Sequence, residues 1–162
     1  MALQGTARAV NMFLRVFKAF CPAFIIFAFC REKPTNSVNT KPIITIICPV
    51  YNEERFIDGL VQSILNQDYP KDRMEVLMID GQSKDKTKEK IEAYIRQNPC
   101  IRLYENPLRY SAQAMNMGIR KAKGEVIIRM DAHCVYPSNY FRVLVERLFE
   151  LGADNVGAGL NT

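Results

Sequence analysis

A chain of 162 residues, 48% of them hydrophobic, is long enough for one domain around one core and leaves little for a second. Its formal charge of +5 is unevenly spread: Arg8, Arg15, Lys18, Arg31 and Lys33 against Glu32 place four of the five net charges in the first forty residues. The remainder has no surplus of Lys and Arg to match a run of phosphates, which argues against nucleic acid as a partner and turns the basic leader toward a membrane surface.

Within that leader, residues 19–30 are uncharged and almost wholly apolar, with Arg15 and Lys18 before them and Arg31 after. Twelve residues fall short of the roughly 20 that span hydrocarbon, and Pro22 weakens a helix further. Residues 10–31 are therefore expected to rest on a membrane surface as an interfacial anchor. A non-native leader from a misplaced start site and a signal-peptide core are the alternatives, the second lacking a small-residue cleavage site. Residues 35–40, rich in Asn and Thr, read as a linker, so 1–40 form a leader and linker and 41–162 the folded domain. Five cysteines without a C-x-x-C pair suit free thiols in a reducing compartment. The expected location is cytoplasmic, peripheral at the inner face of the cell membrane.

The β-branched run 43–48, stopped by Pro49, predicts a strand buried on both faces. An amphipathic helix is expected over 53–67, a second strand over 74–79 and a second helix over 84–97, ended by Asn98-Pro99. A short strand at 101–104, a helix over 111–122, a strand over 126–130 and a helix over 137–151 follow, and 155–159 looks like one more strand. Strands alternating with helices at this spacing imply an α/β fold, a mostly parallel sheet with helices on both faces. Ligands of such sheets bind beyond the carboxyl ends of the strands, where Pro49, Tyr51, Asp80 and Asp131 are expected.

Asp131-Ala132-His133 closes the run 126–130, and Asp80 closes the run 74–79. Residues i and i+2 of an extended segment point the same way, so the Asp131 carboxylate and the His133 imidazole can converge on one divalent cation. His133 is the sole histidine, which leaves little room for a Ser-His-Asp or Cys-His arrangement, and the cysteines lack zinc-ligand spacing. No G-x-G-x-x-G or P-loop is present, so the commonest dinucleotide and ATP folds are excluded. Asp85 and Glu54 read as residues that serve a helix N-terminus.

Ile47-Cys48-Pro49-Val50-Tyr51-Asn52-Glu53-Glu54, then Asp80-Gly81-Gln82-Ser83-Lys84-Asp85-Lys86-Thr87, then 114–119 with Ala122-Lys123-Gly124-Glu125, and finally Asp131-Ala132-His133 resemble, in this order, the family 2 glycosyltransferases of the GT-A fold. The likeness covers about residues 41–162 and extends to bacterial exopolysaccharide enzymes of the succinoglycan type. It implies the Rossmann-like, donor-binding half of such an enzyme, interrupted at residue 162. Pro49, Tyr51 and Glu53 would line the base pocket, Asp80 would accept a hydrogen bond from a uracil-type N3–H, and Arg109 and Asn116 are further nucleotide-binding candidates beside Asp131. Asp131 and His133 would hold the cation, with Mn²⁺ favoured over Mg²⁺ because imidazole replaces the family's usual second aspartate. The implied reaction moves a sugar from a nucleoside-diphosphate donor, a UDP-sugar by this reading, to a glycan or lipid-linked acceptor, with inversion. The general base is expected beyond residue 162, so a nucleotide-binding or membrane-associated module without turnover of its own is the alternative.

Overall fold

The computed structural model describes residues 27–30 and 41–157. β-branched and large aliphatic side chains build the centre of the sheet: β2 (Ile44–Val50) is buried except at Pro49, and β3 (Met74–Asp80) is buried throughout. Both lie parallel, with Ile44 opposite Met74 and Val50 opposite Asp80. β4 (Ile101–Glu105) continues the parallel array outside β3, and β5 (Val126–Arg129) joins the other side of β2, with Ile47 opposite Arg129. Beyond β5 the sheet turns antiparallel through β1 (Phe27–Cys30) and β6 (Asn155–Gly157), giving the order β4-β3-β2-β5-β1-β6.

Helices cover both faces, as the alternation of elements predicts. On one face Ile46, Cys48 and Val50 pack with Leu60, Val61 and Ile64 of α1 (Ile57–Leu65), Ile91 of α2 (Thr87–Ile95) and Phe141, Leu144 and Leu148 of α4 (Tyr140–Glu150). On the other, Ile47, Leu77, Ile79 and Ile127 meet Ala114, Met115 and Ile119 of α3 (Ser111–Lys121). This α3 contact is close. A Cβ on Gly118 would stand 2.6 Å from Ile47 Cγ2, so the absence of a side chain there lets α3 settle onto β2.

Two differences from the sequence reading have physical causes. The segment read as an apolar appendage supplies β1, with Ala28 fully buried opposite Ile128 and Val156. A short apolar run satisfies a sheet edge as well as an interface, and periodicity does not separate the two. The rest of the membrane-surface reading over 10–31, and the linker at 35–40, lie outside the described residues. Among the described residues, no helix is long and apolar enough to cross a membrane.

The second difference is length: α1, α2 and α4 are each shorter than the spans 53–67, 84–97 and 137–151 expected from the sequence. Their ends are spent on contacts between loops. Buried Gln67, just past α1, accepts the Phe141 N–H (3.0 Å) and donates to the Pro137 carbonyl (2.8 Å), so it ties the end of α1 to the start of α4. Residues 137–139 are held in that tie, and the helix begins at Tyr140.

Candidate functional site

Because β3 and β5 flank β2 on opposite sides, the chain leaves the carboxyl end of β2 at a point where strand order reverses, and a crevice opens there. It is a cleft of about 320 Å³ lined by Pro49, Val50, Tyr51, Glu53, Ile79, Gly81, Asn106, Ser111, Ala114, Arg129, Asp131 and His133. Five of the residues singled out in the sequence, Pro49, Tyr51, Glu53, Asp131 and His133, therefore meet in one place. Asp80, Arg109 and Asn116 do not line it. Asp80 is 1% exposed behind Gly81, and Asn116 sits farther along α3, whose contribution to the wall is Ser111 and Ala114.

The loop after β2 and the loop after β3 are joined by a ladder of polar contacts. Asn52 N–H donates to Ser83 Oγ (2.9 Å), Lys84 N–H to Asn52 Oδ1 (2.9 Å), Glu53 N–H to Thr87 Oγ1 (2.8 Å) and Glu54 N–H to Asp85 Oδ2 (3.1 Å). Asp85 Oδ1 also accepts the Thr87 N–H (3.0 Å), as its position before α2 suggests, and Glu54 Oε2 accepts the Lys86 N–H (3.0 Å), so Glu54 serves the N-terminus of α2 rather than that of the helix it precedes in sequence. Thus Ser83, Asp85 and Thr87 fix the position of Tyr51 and Glu53 without touching the cleft themselves.

For Asp85, partial burial pulls the carboxyl upward, and hydrogen bonds from Thr87 and the Glu54 N–H outweigh it, leaving the group below the ordinary carboxylate range. The clasp is therefore complete above that range and is lost as pH falls through the lowered value. Asp85→Ala orphans two backbone N–H groups and is expected to cost about 2 kcal/mol in a urea titration. A loss near zero would show that the ladder does not hold these loops.

Asp80 has a comparable local task. Its carboxylate accepts the Ser83 hydroxyl (2.5 Å) and the Ser83 N–H (3.1 Å to Oδ2), closing the tight Gly81-Gln82-Ser83 turn. Three non-glycine residues adopt left-handed backbone around the cleft: Asn52 (φ 55°), Gln82 (φ 63°) and Arg109 (φ 63°). Such residues are uncommon and gather where a turn must aim groups at a site. Arg109 Nε donates to Gln82 Oε1 (3.3 Å), which links two of these turns above Gly81.

Past β5 the backbone stays extended for one more residue, with Met130 N–H donating to the Ile47 carbonyl (3.0 Å). Alternation then places Arg129 and Asp131 on the same side. Arg129 Nε (3.0 Å) and Nη2 (2.9 Å) both donate to Asp131 Oδ1. After Asp131 the chain turns, Cys134 N–H donating to the Asp131 carbonyl (3.3 Å). The expected i, i+2 convergence of Asp131 and His133 along an extended segment is thus replaced by a turn. His133 reaches the cleft by another route, its Nδ1 3.7 Å from Glu53 Oε1 and its ring edge-on to Phe56.

Sequence reasoning did not find Arg129, Asn106 or Tyr136 as site residues. Tyr136 packs under the turn, where its hydroxyl accepts the Asp131 N–H (2.8 Å) and donates to the Asp131 carbonyl (3.2 Å). Burial pushes that hydroxyl's pKa up, so it stays a neutral donor. Buried Asn106 donates its amide to the Tyr110 carbonyl (3.1 Å) and accepts the Leu108 N–H (3.3 Å), shaping the loop that carries Arg109. The Asn106-Pro107 pair at a strand end was a visible turn signal.

As a donor set for a cation, the cleft offers the Asp131 carboxylate and the His133 imidazole. Among the described residues, no three His, Cys, Asp or Glu side chains gather into a metal-holding group. A pair of this kind suits a divalent ion that brings the rest of its ligands as phosphate oxygens and waters.

Comparison with known proteins agrees with this fold. The model of the family described as Glycosyl transferase family 2 matches residues 45–161. The succinoglycan biosynthesis protein ExoA of Rhizobium meliloti is 31% identical over 119 residues, which are 72% of this chain and 36% of that protein. A mannosyltransferase from Pyrobaculum calidifontis, solved with GDP-Man and Mn²⁺, superposes with a TM-score of 0.63 at 24% identity over 92% of this chain and 41% of that one. S. aureus TarS 1–349, solved with UDP, gives a TM-score of 0.59 at 25% identity over 66% of this chain and 32% of that one. The chain spans about a third of the length of the curated relatives it matches.

Proposed function

This chain belongs to glycosyl transferase family 2, with a GT-A fold, and from that premise we propose that its cleft binds the nucleoside diphosphate of a sugar donor, a UDP-sugar in the first instance. The observation that carries the reading is the meeting of Pro49, Tyr51, Glu53, Asp131 and His133 at the switch point of the sheet. Tyr51 presents a half-exposed ring and Gly81 lies against it, where a Cβ would come within 3.4 Å of the ring, so a glycine here leaves a slot open for a flat base. Asp80 accepts three contacts from Ser83 and, with about four lone-pair sites on a carboxylate, has one left for a uracil N3–H, which at 1% exposure it meets only once the Gly81-Gln82-Ser83 turn in front of it shifts. The UDP form found on TarS supports that base.

Asp131 and His133 are the residues that would hold a divalent cation. When bound it would neutralise charge on the diphosphate leaving group. Glu53 orients His133 from the facing loop, and Tyr136 fixes the backbone that carries Asp131. The whole enzyme's reaction, by this proposal, is an inverting transfer to a glycan or lipid-linked acceptor hydroxyl in cell-surface polysaccharide synthesis. It would take place at the cytoplasmic face of the membrane. The relation to ExoA, a succinoglycan biosynthesis protein, supports the polysaccharide part of this reading.

Calorimetric titration of the chain with UDP, GDP and CDP tests the reading. UDP in Mn²⁺ should bind most tightly, CDP should be weaker by roughly tenfold because cytosine lacks the N3–H, and chelation of the metal should lower UDP affinity by about tenfold. Mg²⁺ should support weaker binding than Mn²⁺, since imidazole suits the softer ion. No binding of any nucleotide would end the proposal.

A further inference from the structure

Arg129 is the single Lys or Arg side chain lining the cleft among the described residues, and it shares that cleft with two carboxylates, Glu53 and Asp131. Its side chain is 19% exposed and that of Asp131 10%, so their contact is largely shielded from water. Both of its bonds to Asp131 fall on one oxygen, Oδ1, from Nε and Nη2. A guanidinium carries five N–H donors in a planar fork, so this contact uses two and leaves three for another anion.

We propose that Arg129 is the resident cation of the donor site: it holds the Asp131 carboxylate in the free protein, yields it to a divalent cation when a nucleoside diphosphate enters, and then takes the diphosphate itself. The inference rests on the donor-site reading above and adds an exchange of partners to it. In the free protein a carboxylate this buried needs a positive partner, and Arg129 supplies it. A divalent cation held by Asp131 would bring twice that charge to the carboxylate and displace the guanidinium, which stays at the cleft wall because its strand position is fixed by the register of β5 on β2. The incoming diphosphate brings negative charge beside a released planar donor. Each exchange replaces one charge pair with another, so neither Asp131 nor Arg129 is left buried and unpaired.

Two measurements on the full chain separate this exchange from a merely structural role for Arg129. Free Mn²⁺ is followed by its paramagnetic resonance signal without nucleotide, and UDP is titrated calorimetrically in saturating Mn²⁺. Arg129→Gln removes the competitor for Asp131, so Mn²⁺ alone should bind about fivefold more tightly, while UDP should bind about tenfold more weakly. Arg129→Lys keeps a charge without the fork, and UDP affinity should then stay within about threefold of the unaltered chain while Mn²⁺ alone still binds more tightly. If Arg129→Gln does not unfold cooperatively, the lysine variant decides by the same two readouts. Parallel weakening of both ligands, or no change in either, overturns the exchange while leaving the donor site standing. Failure of the unaltered chain to bind UDP removes the donor site and this inference together.

Discussion

Asp131→Ala should lower UDP affinity in Mn²⁺ by about tenfold, the loss that chelation causes in the unaltered chain, and erase the difference between affinities measured with and without the metal. The proposed cation site relies on this carboxylate, and without it the cleft keeps the His133 imidazole and the Glu53 carboxylate, which already face each other at 3.7 Å. In metal-free buffer the expectation reverses. Arg129 then has no carboxylate to hold, so UDP affinity should be unchanged or higher. Stability should fall by about 1–3 kcal/mol, because a shielded guanidinium loses its partner but keeps some access to water. Asp131→Asn separates the two effects: the amide oxygen can still accept from Arg129, so stability should change by less than about 1 kcal/mol while the metal-dependent affinity falls as in the alanine variant. Retention of Mn²⁺-dependent UDP binding by both variants would remove Asp131 from the cation site.

The Asp131 region also shows where sequence reasoning holds and where it runs out. Alternation along a strand is a local rule, and it correctly predicts that side chains two apart share a side; the pair that obeys it here is Arg129 and Asp131, since the extended backbone ends at the turn that begins with Asp131. From Asp131 to His133 the chain has already left the strand, and the rule no longer holds. His133 still reaches the cleft, but through the turn and the neighbouring Glu53, a contact between loops eighty residues apart that no spacing encodes. The eight residues from Asp80 to Thr87 were legible as a motif and only partly as chemistry. Ser83, Asp85 and Thr87 act on the backbone of Asn52, Glu53 and Glu54 and so support the base slot from behind.

The parallel core was legible because β2 and β3 are largely apolar runs between turn signals, and the helices because their stripes are regular. Helix ends were not, since they are set by partners distant in sequence, such as Gln67 for α4 and Glu54 for α2. β1 was hidden for a different reason. An apolar run beside basic residues satisfies the description of an interfacial anchor, and only the partner strands β5 and β6 show that residues 27–30 belong to the sheet.

Gly124→Ala is expected to cost about 3–5 kcal/mol, a large share of the roughly 5–15 kcal/mol that holds a domain of this size. A Cβ at this position would stand 2.6 Å from Thr45 N, 2.8 Å from the Ile43 carbonyl oxygen and 2.8 Å from Ile44 C. All three are backbone atoms at the start of the central strand, so relief requires β2 and the turn before β5 to part. Parting them breaks a buried polar cluster: Gly124 N–H donates to Thr45 Oγ1 (2.9 Å), and the Thr45 hydroxyl and the Lys123 N–H both donate to Glu75 Oε2 (2.9 Å each). Gly118→Ala should be milder by comparison, since its neighbour is the Ile47 side chain, which can shift where backbone cannot. The effect of Gly124→Ala should also reach the cleft. This turn sets Ile44 opposite Val126, and that register carries Arg129 to its place opposite Ile47 and Asp131 to the mouth of the site. A urea titration and a UDP titration of the same variant should therefore both show losses. A fully stable Gly124→Ala protein with unaltered UDP affinity would mean that β5 is positioned by contacts other than this close approach.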